Sequence, residues 1–306
     1  MGNKNLQARL ISAGLGRVAY DIIRVSMPSI RMHCRRVSDQ RTLPLGSSRL
    51  GGEPDTRPGK RWPSWQDSPM AFVAQVNLAD IAAYDEEGHL PHSGLLSFFC
   101  AVDGTGAGVM QAPGDPLSWM VSYFNDDLGT LIRLPPPTEL PERLHFPACH
   151  ASFSPEPTLP DVESREIVGL GLSEPERHAY INVQTGADVG YLSAMNHHLL
   201  GFPYCLGGSP FIVGYLKAHG IPNPYTTIEG RSLNLQELQD KREELQDQWR
   251  SLQHNAESEW RLLLQVYSNE EAEMDWGGGG VLHFCIPKEA LSGRDFDRSW
   301  VEMQFV

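Results

Sequence analysis

Gly94-Leu95-Leu96-Ser97-Phe98-Phe99-Cys100 and Gly279-Gly280-Val281-Leu282-His283-Phe284-Cys285 follow one pattern: glycine at a turn, then an apolar run of strand length ending in cysteine. Working outward, each run is preceded by another apolar run broken by one glutamine, Phe72-Val73-Ala74-Gln75-Val76 and Leu262-Leu263-Leu264-Gln265-Val266. Further upstream stand two glycine–proline turns, Leu50-Gly51-Gly52-Glu53-Pro54 and Leu199-Leu200-Gly201-Phe202-Pro203. Three pieces recurring in one order are the mark of an internal duplication. The expectation is an α+β protein with two related β-rich lobes in one compact unit spanning 1–306. Lobe 1 falls at about 1–160 and lobe 2 at about 161–306.

The rest of the chain fills in around this frame. Strands are expected near 29–37, 120–124 and 131–134. The proline-rich stretch 135–160 is expected to be extended, at a sheet edge or as a connection. In the second half an inserted segment, 234–261, separates the glycine–proline turn from the glutamine strand. It reads as an amphipathic helix, with Leu238, Leu245 and Leu252 at heptad spacing and Asn234 and Glu237 as a capping box. Packing of that helix across its own sheet is the preferred reading; pairing with a partner helix is the alternative, so monomer and dimer both stay open.

The chain has 306 residues, 41% hydrophobic and 21% charged, which excludes disorder and collagen-like order. Its formal charge of −13 hides an asymmetry: residues 1–66 carry 12 Lys/Arg against 4 Asp/Glu, net +8, and residues 67–306 carry 13 against 34, net −21. General nucleic-acid binding is not expected of such a body. The first segment reads as helical, with Arg9, Arg17, Arg24 and Arg31 forming a row, either docked on the acidic body or free to bind an anionic surface. Within it Gly14-Leu15-Gly16-Arg17-Val18-Ala19 matches a dinucleotide fingerprint, but without a preceding strand it is better read as a helix end followed by a second helix. No apolar run reaches the length of a membrane span, and the chain is read as cytoplasmic, with an organellar transit segment at the Arg-rich N-terminus as the minor alternative.

Cys34, Cys100, Cys149, Cys205 and Cys285 are odd in number and have no zinc-like spacing, so they are read as reduced thiols and no metal is assigned. The familiar hydrolase, P-loop and metalloprotease signatures are missing, no cofactor is assigned, and whether any reaction is catalysed stays open. Gly277 to Gly280 fit a turn or bulge better than a phosphate cradle, because Glu270, Glu271, Glu273 and Asp275 precede them and a strand follows. The adjacent pair His197-His198 would point to opposite faces of a strand. Gln75 and Gln265 interrupt equivalent apolar strands, either satisfying backbone groups of the glycine–proline loops or lining a cleft between the lobes. Trp62, Trp65 and Trp276 fall in loops, where an aromatic can anchor a partner or pack on proline-rich coil.

Taken in order, Ser48-Arg49-Leu50-Gly51-Gly52-Glu53-Pro54, Arg61-Trp62-Pro63, 69–78, Leu90-Pro91-His92-Ser93-Gly94, Leu199-Leu200-Gly201-Phe202-Pro203, Trp260-Arg261-Leu262-Leu263-Leu264-Gln265 and Met274-Asp275-Trp276-Gly277 resemble the YwqG-like family, a bacterial-type domain of unknown function. The resemblance implies a cytosolic α+β protein with two related lobes. It also suggests a partner-binding or immunity role, because some members accompany toxin loci. It marks Gly51, Gly52, Pro54, Pro63, Gly94, Gly201, Pro203 and Gly277 as structural motif positions. This chain departs from the family at Tyr267-Ser268-Asn269, at Gly278 and within Cys205-Leu206-Gly207-Gly208, where the family tends to carry polar or acidic groups.

Two functions are carried forward. One is a non-enzymatic protein-binding module, an immunity-type inhibitor of a basic toxin, steered by the acidic body. The other is an enzyme or small-ligand receptor with a site in the cleft between the lobes. The candidate binding residues are Arg49, Trp62, Gln75, His197, Gln265 and Trp276.

Overall fold

In the computed structural model, which describes residues 2–102, 118–189, 197–222 and 246–305, both glycine-led apolar runs are strands buried at every position, Leu95–Cys100 and Val281–Pro287. Burial on both faces is why they read as continuous runs rather than as alternation. The strands of the main sheet are β1 (Met27–Arg36), β2 (Arg49–Leu50), β3 (Ala71–Asn77), β4 (Leu95–Cys100), β5 (Trp119–Phe124), β6 (Cys149–Thr158), β7 (His197–Leu199), β8 (Trp260–Tyr267), β9 (Val281–Pro287) and β10 (Trp300–Gln304). Their order is β10-β9-β8-β7-β1-β6-β2-β3-β4-β5, antiparallel throughout. The helices are α1 (Gly2–Ser12), α2 (Ala19–Val25), α3 (Leu78–Ile81), α4 (Arg165–Val168), α5 (Glu174–Thr185), α6 (Phe211–Ala218), α7 (Gln246–Glu259) and α8 (Lys288–Gly293).

Strands from the two halves of the chain are continuous in this one sheet, joined where β1 of the first half lies beside β7 of the second. β6 lies between β1 and β2, and its ladder with β1 runs from Met27↔Thr158 to Arg36↔Cys149. Strand twist curls so wide a sheet until its two ends meet. Trp119 of β5 packs edge-on against Trp300 of β10 at 4.9 Å and donates its Nε1–H to Ser299 O at 2.9 Å. Phe98 of β4 meets Phe284 of β9 at 5.0 Å across the interior. The sheet is therefore nearly closed, and the main core fills its inside.

The stretch 149–158 is not at an edge: it is the central strand β6, despite Pro155 and Pro157. The reason lies in the length of its neighbour. Ala151 N donates to Ser48 O, so alternate residues 151, 153, 155 and 157 turn their nitrogens towards β2. β2 pairs only with Cys149 and His150, so both prolines face a side where the ladder has already ended.

Equivalent pieces of the two halves share local geometry. The β3–β4 and β8–β9 ladders each shift register at one place, between Phe72 and Ala74 and between Leu262 and Leu264. In the two turns Gly52 has φ 77° and Gly201 φ 72°. A Cβ on Gly52 would lie 2.7 Å from Ala148 Cβ, and one on Gly201 would strike Thr158 Oγ1, so both positions need glycine for conformation and for space.

At the N-terminus α1 ends at a turn where Gly14 takes φ 85° and Leu15 N donates to Leu10 O, so the glycine motif is a helix end and not a nucleotide loop. Leu6, Leu10, Leu15, Val18 and Ile22 form a second, smaller core with Leu159, Ile167, Tyr180 and Val183. Three arginines of the row are bound to the body's own acids, Arg9–Asp188 at 2.7 Å, Arg17–Glu176 at 2.9 Å and Arg31–Glu156 at 3.4 Å, while Arg24 lies 3.8 Å from Asp21 of its own helix; Arg36 adds a pair with Glu273 at 2.6 Å. Of the two readings of the basic segment, internal docking is the one these pairs describe.

The inserted helix is α7. It ends at Glu259, where β8 begins, and buries Ala256 with Trp249 and Leu252 packed against the main core of its own chain. Asn234, Glu237, Leu238 and Leu245 lie outside the described residues.

Candidate functional site

Register places the two glutamines at matching points. Gln75 of β3 lies between Arg49 of β2 and Ser97 of β4, and Gln265 of β8 lies between His198 of β7 and His283 of β9. Both are fully buried. Gln75 Oε1 accepts the N–H of Asp55 at 2.9 Å, and Gln265 Oε1 accepts that of Tyr204 at 2.8 Å. Each amide thus holds the residue that follows the proline of its turn, Pro54 or Pro203. A buried polar group left without such a partner costs about 1–3 kcal/mol, which is why one glutamine can persist in an otherwise apolar strand.

Around this shared bond the two clusters differ. In the first, Asp55 is fully buried and receives Arg49 Nη2, Arg133 Nε at 3.0 Å, Gly46 N at 2.8 Å and Gln75 Nε2 at 2.9 Å. Arg133 also donates to Gln40 O at 2.6 Å and Leu43 O at 3.0 Å, and Gln75 donates to Ser47 O at 2.8 Å. Burial, helped by the charge of Arg133, pushes Arg49 down to about 9, so it stays protonated at neutral pH. Its Nε and Nη1 meet no acceptor among the described residues.

The second cluster is built on histidines and backbone groups. His283 Nε2 donates to Tyr204 O at 2.9 Å, His198 Nε2 to Phe202 O at 3.2 Å, and His197 Nδ1 accepts the N–H of Tyr267 at 3.2 Å. Burial pushes His197 and His283 down to about 4, with the His198 ring adding to the effect on both. These rings are uncharged at neutral pH.

Arg49 and Gln75 therefore meet in one cluster, and Gln265 lies in the other with His198 and His283, while His197 takes the opposite face of β7 and the two tryptophans lie elsewhere. Trp276 is only 1% exposed and packs against Phe146 at 5.9 Å, so it is a core side chain and not a loop anchor. Trp65 is likewise buried. Trp62 is half-buried, donating to Met70 O at 2.8 Å and lying edge-on to Phe99 at 6.0 Å. The loop after Gly277 holds an anion of its own: Asp275 Oδ1 accepts Gly278 N at 2.8 Å and Gly279 N at 3.1 Å. The acidic turn before it docks on β1, where Glu271 accepts Arg36 N at 2.6 Å. Among the described residues no group of three or more His, Cys, Asp or Glu is placed to hold a metal ion, and all five cysteines are free. No described helix is long and apolar enough to cross a membrane.

A cleft of about 480 Å³ between α4 and α7 went unnoticed in the sequence, because its walls are some 90 residues apart. Ser164, Arg165 and Val168 line one wall and Gln253, His254 and Glu257 the other. Acids gather at its lip. Burial pushes Glu257 up against the opposing hydrogen bond from Gln253 at 3.0 Å, and the charges of Glu166 and Asp161 add to the rise. Asp161 is raised too, by burial and by Glu163. Arg177, paired with Glu163, and Arg165 offset part of this negative charge. Ser164, 4% exposed, has no partner for its Oγ among the described residues.

The class defined by these features is a mixed helix-and-strand domain built on one nearly closed antiparallel sheet. The chain belongs to the family described as Domain of unknown function (DUF1963), whose model matches residues 48–304. No curated protein matches it. The match begins just before β2, so β1, one of the two central strands, is supplied by the segment that precedes it.

Proposed function

We propose that this chain is a protein-binding module that receives a basic segment of its partner in the acid-lipped cleft between α4 and α7. One observation carries the reading: a largely apolar cleft rimmed by Glu163 and Glu257, with Glu166 near enough for its charge to raise Glu257 and with Asp161 likewise raised beside Glu163. Such a rim steers a cationic partner and loses strength in salt, and the apolar wall gives the contact area. An immunity-type inhibitor of a basic toxin, acting in the cytoplasm, is the form of this function that the acidic body favours. The two halves are, in this reading, copies of one β plan joined through β7 and β1 in a single sheet.

The test is direct. The chain is mixed with the product of an adjacent toxin-like reading frame, and the affinity is compared with that of Glu163→Lys/Glu166→Lys/Glu257→Lys. Loss of binding in the triple variant, with a strong salt dependence in the parent, supports the proposal; undiminished affinity in the triple variant removes it.

A further inference from the structure

A different cavity, of about 290 Å³, lies between the 54–63 segment and the face of β4 and β5 opposite Phe98. Its floor carries two hydroxyls, Ser97 and Ser122, which are direct cross-strand partners. Phe99 and Phe124 wall it, and Arg57, Lys60 and Arg61 stand at its rim.

Most arginines of the first 66 residues are already paired: Arg9, Arg17, Arg31 and Arg36 are bound to acids elsewhere in the fold, and Arg49 to Asp55. Lys60 and Arg61 are exposed, and the side chain of neither has an ion pair or hydrogen bond among the described residues. Arg57 is shared: it lies 4.8 Å over the Phe124 ring and 3.1 Å from Asp126. Asp55 also lines the cavity, but its carboxylate is already taken by Arg49, Arg133, Gln75 and Gly46. Among the described residues, three cations stand against one accessible carboxylate, Asp126, which makes a local positive spot. Cations, hydroxyl donors and aromatic walls converging on one small cavity are the elements of an organic-anion site.

We propose that this cavity binds a small phosphate monoester carried on an aromatic body. The phosphate would sit between Lys60, Arg61 and the two serine hydroxyls, with the ring against Phe99 and Phe124. Two unpaired cations suit a dianion, and several donors suit its three free oxygens better than the two of a carboxylate. The cavity lies at the lower end of the volumes that hold small ligands, so the ligand is compact. This assignment is independent of the cleft at α7 and of any protein partner.

Calorimetric titration of the full chain at low ionic strength tests it, with phenyl phosphate as probe and inorganic phosphate and benzoate as parallel arms. The expected result is saturable one-site binding of phenyl phosphate, with both comparators weaker by about ten-fold or more. Lys60→Ala/Arg61→Ala weakens phenyl phosphate by about ten-fold or more, and Ser122→Asp, which puts a carboxylate in the floor, abolishes binding. Arg41→Ala, at an exposed arginine paired with Asp39, leaves binding unchanged. All four side chains are exposed, so coincident melting curves are expected for parent and variants. No saturable binding, or binding that the double variant leaves intact, overturns the site; benzoate binding as tightly as phenyl phosphate overturns the phosphate assignment.

Discussion

The two buried clusters occupy the same rungs of the two half-sheets and solve the same problem with different chemistry. Each uses a glutamine amide to tie a glycine–proline turn to the sheet. The Arg49–Asp55–Arg133 cluster then adds full charges, and the second cluster adds imidazoles bonded to backbone carbonyls, His283 to Tyr204 O and His198 to Phe202 O. The shared bond is what the fold requires; the charge is particular to the first half. Buried charges are intolerant of a missing partner, whereas neutral groups lose only a hydrogen bond. The halves should therefore respond unequally to equivalent substitutions.

The largest effect is expected from Asp55→Ala, which leaves Arg49 charged, buried and unpaired. A loss of about 3–5 kcal/mol in urea unfolding is expected, much more than for His283→Leu; comparable losses at the two positions would break the contrast. Next come the glutamines. Gln75→Leu strands Asp55 N and Ser47 O and removes a donor from the Asp55 carboxylate. It should cost more than Gln265→Leu, each loss being of the order of 1–3 kcal/mol per abandoned group. Equal unfolding midpoints for the two variants would show that the extra bonds of Gln75 carry no weight.

Acid should weaken the neutral cluster through its rings. His197 and His283 titrate near 4 in the folded chain, against an ordinary value of 6.5, so the unfolded chain binds more protons between those values. Their contribution is complete above about pH 6.5 and declines as pH falls towards 4, by up to about 1.4 kcal/mol per pH unit for each ring. His197→Gln/His283→Gln should flatten the stability–pH curve in that window; an unchanged slope counts against buried neutral rings. The smallest effect belongs to the exposed Arg17–Glu176 pair. Glu176 is held down to about 2, chiefly by its hydrogen bond from Arg17, so the contact is intact above about pH 4.5 and is lost as pH falls through 2. Arg17→Ala should shift the melting temperature only slightly at pH 7, with the shift vanishing as pH falls below 2.

Much of this contrast was legible in the chain itself. A glutamine inside an apolar strand has to be satisfied, and its recurrence at Gln75 and Gln265 pointed to a common role at the glycine–proline loops. The partners that make one cluster charged were hidden, because Arg133 lies 78 residues beyond Asp55 and nothing in their spacing links them. Trp276 misled for a local reason: it stands among acids and glycines, yet its ring turns inward against Phe146.

By itself the sequence determined the strands, since runs buried on both faces must be apolar, and the turns, since Gly52 and Gly201 occupy conformations that only glycine adopts freely. It also set the polarity of a basic segment on an acidic body. Tertiary structure decided the rest. That strands of both halves share one sheet depended on β7 pairing with β1, and pairing partners are not written in a strand's own pattern. Proline-bearing β6 could be central only because β2 stops after two residues, a fact of its neighbour and not of its own sequence.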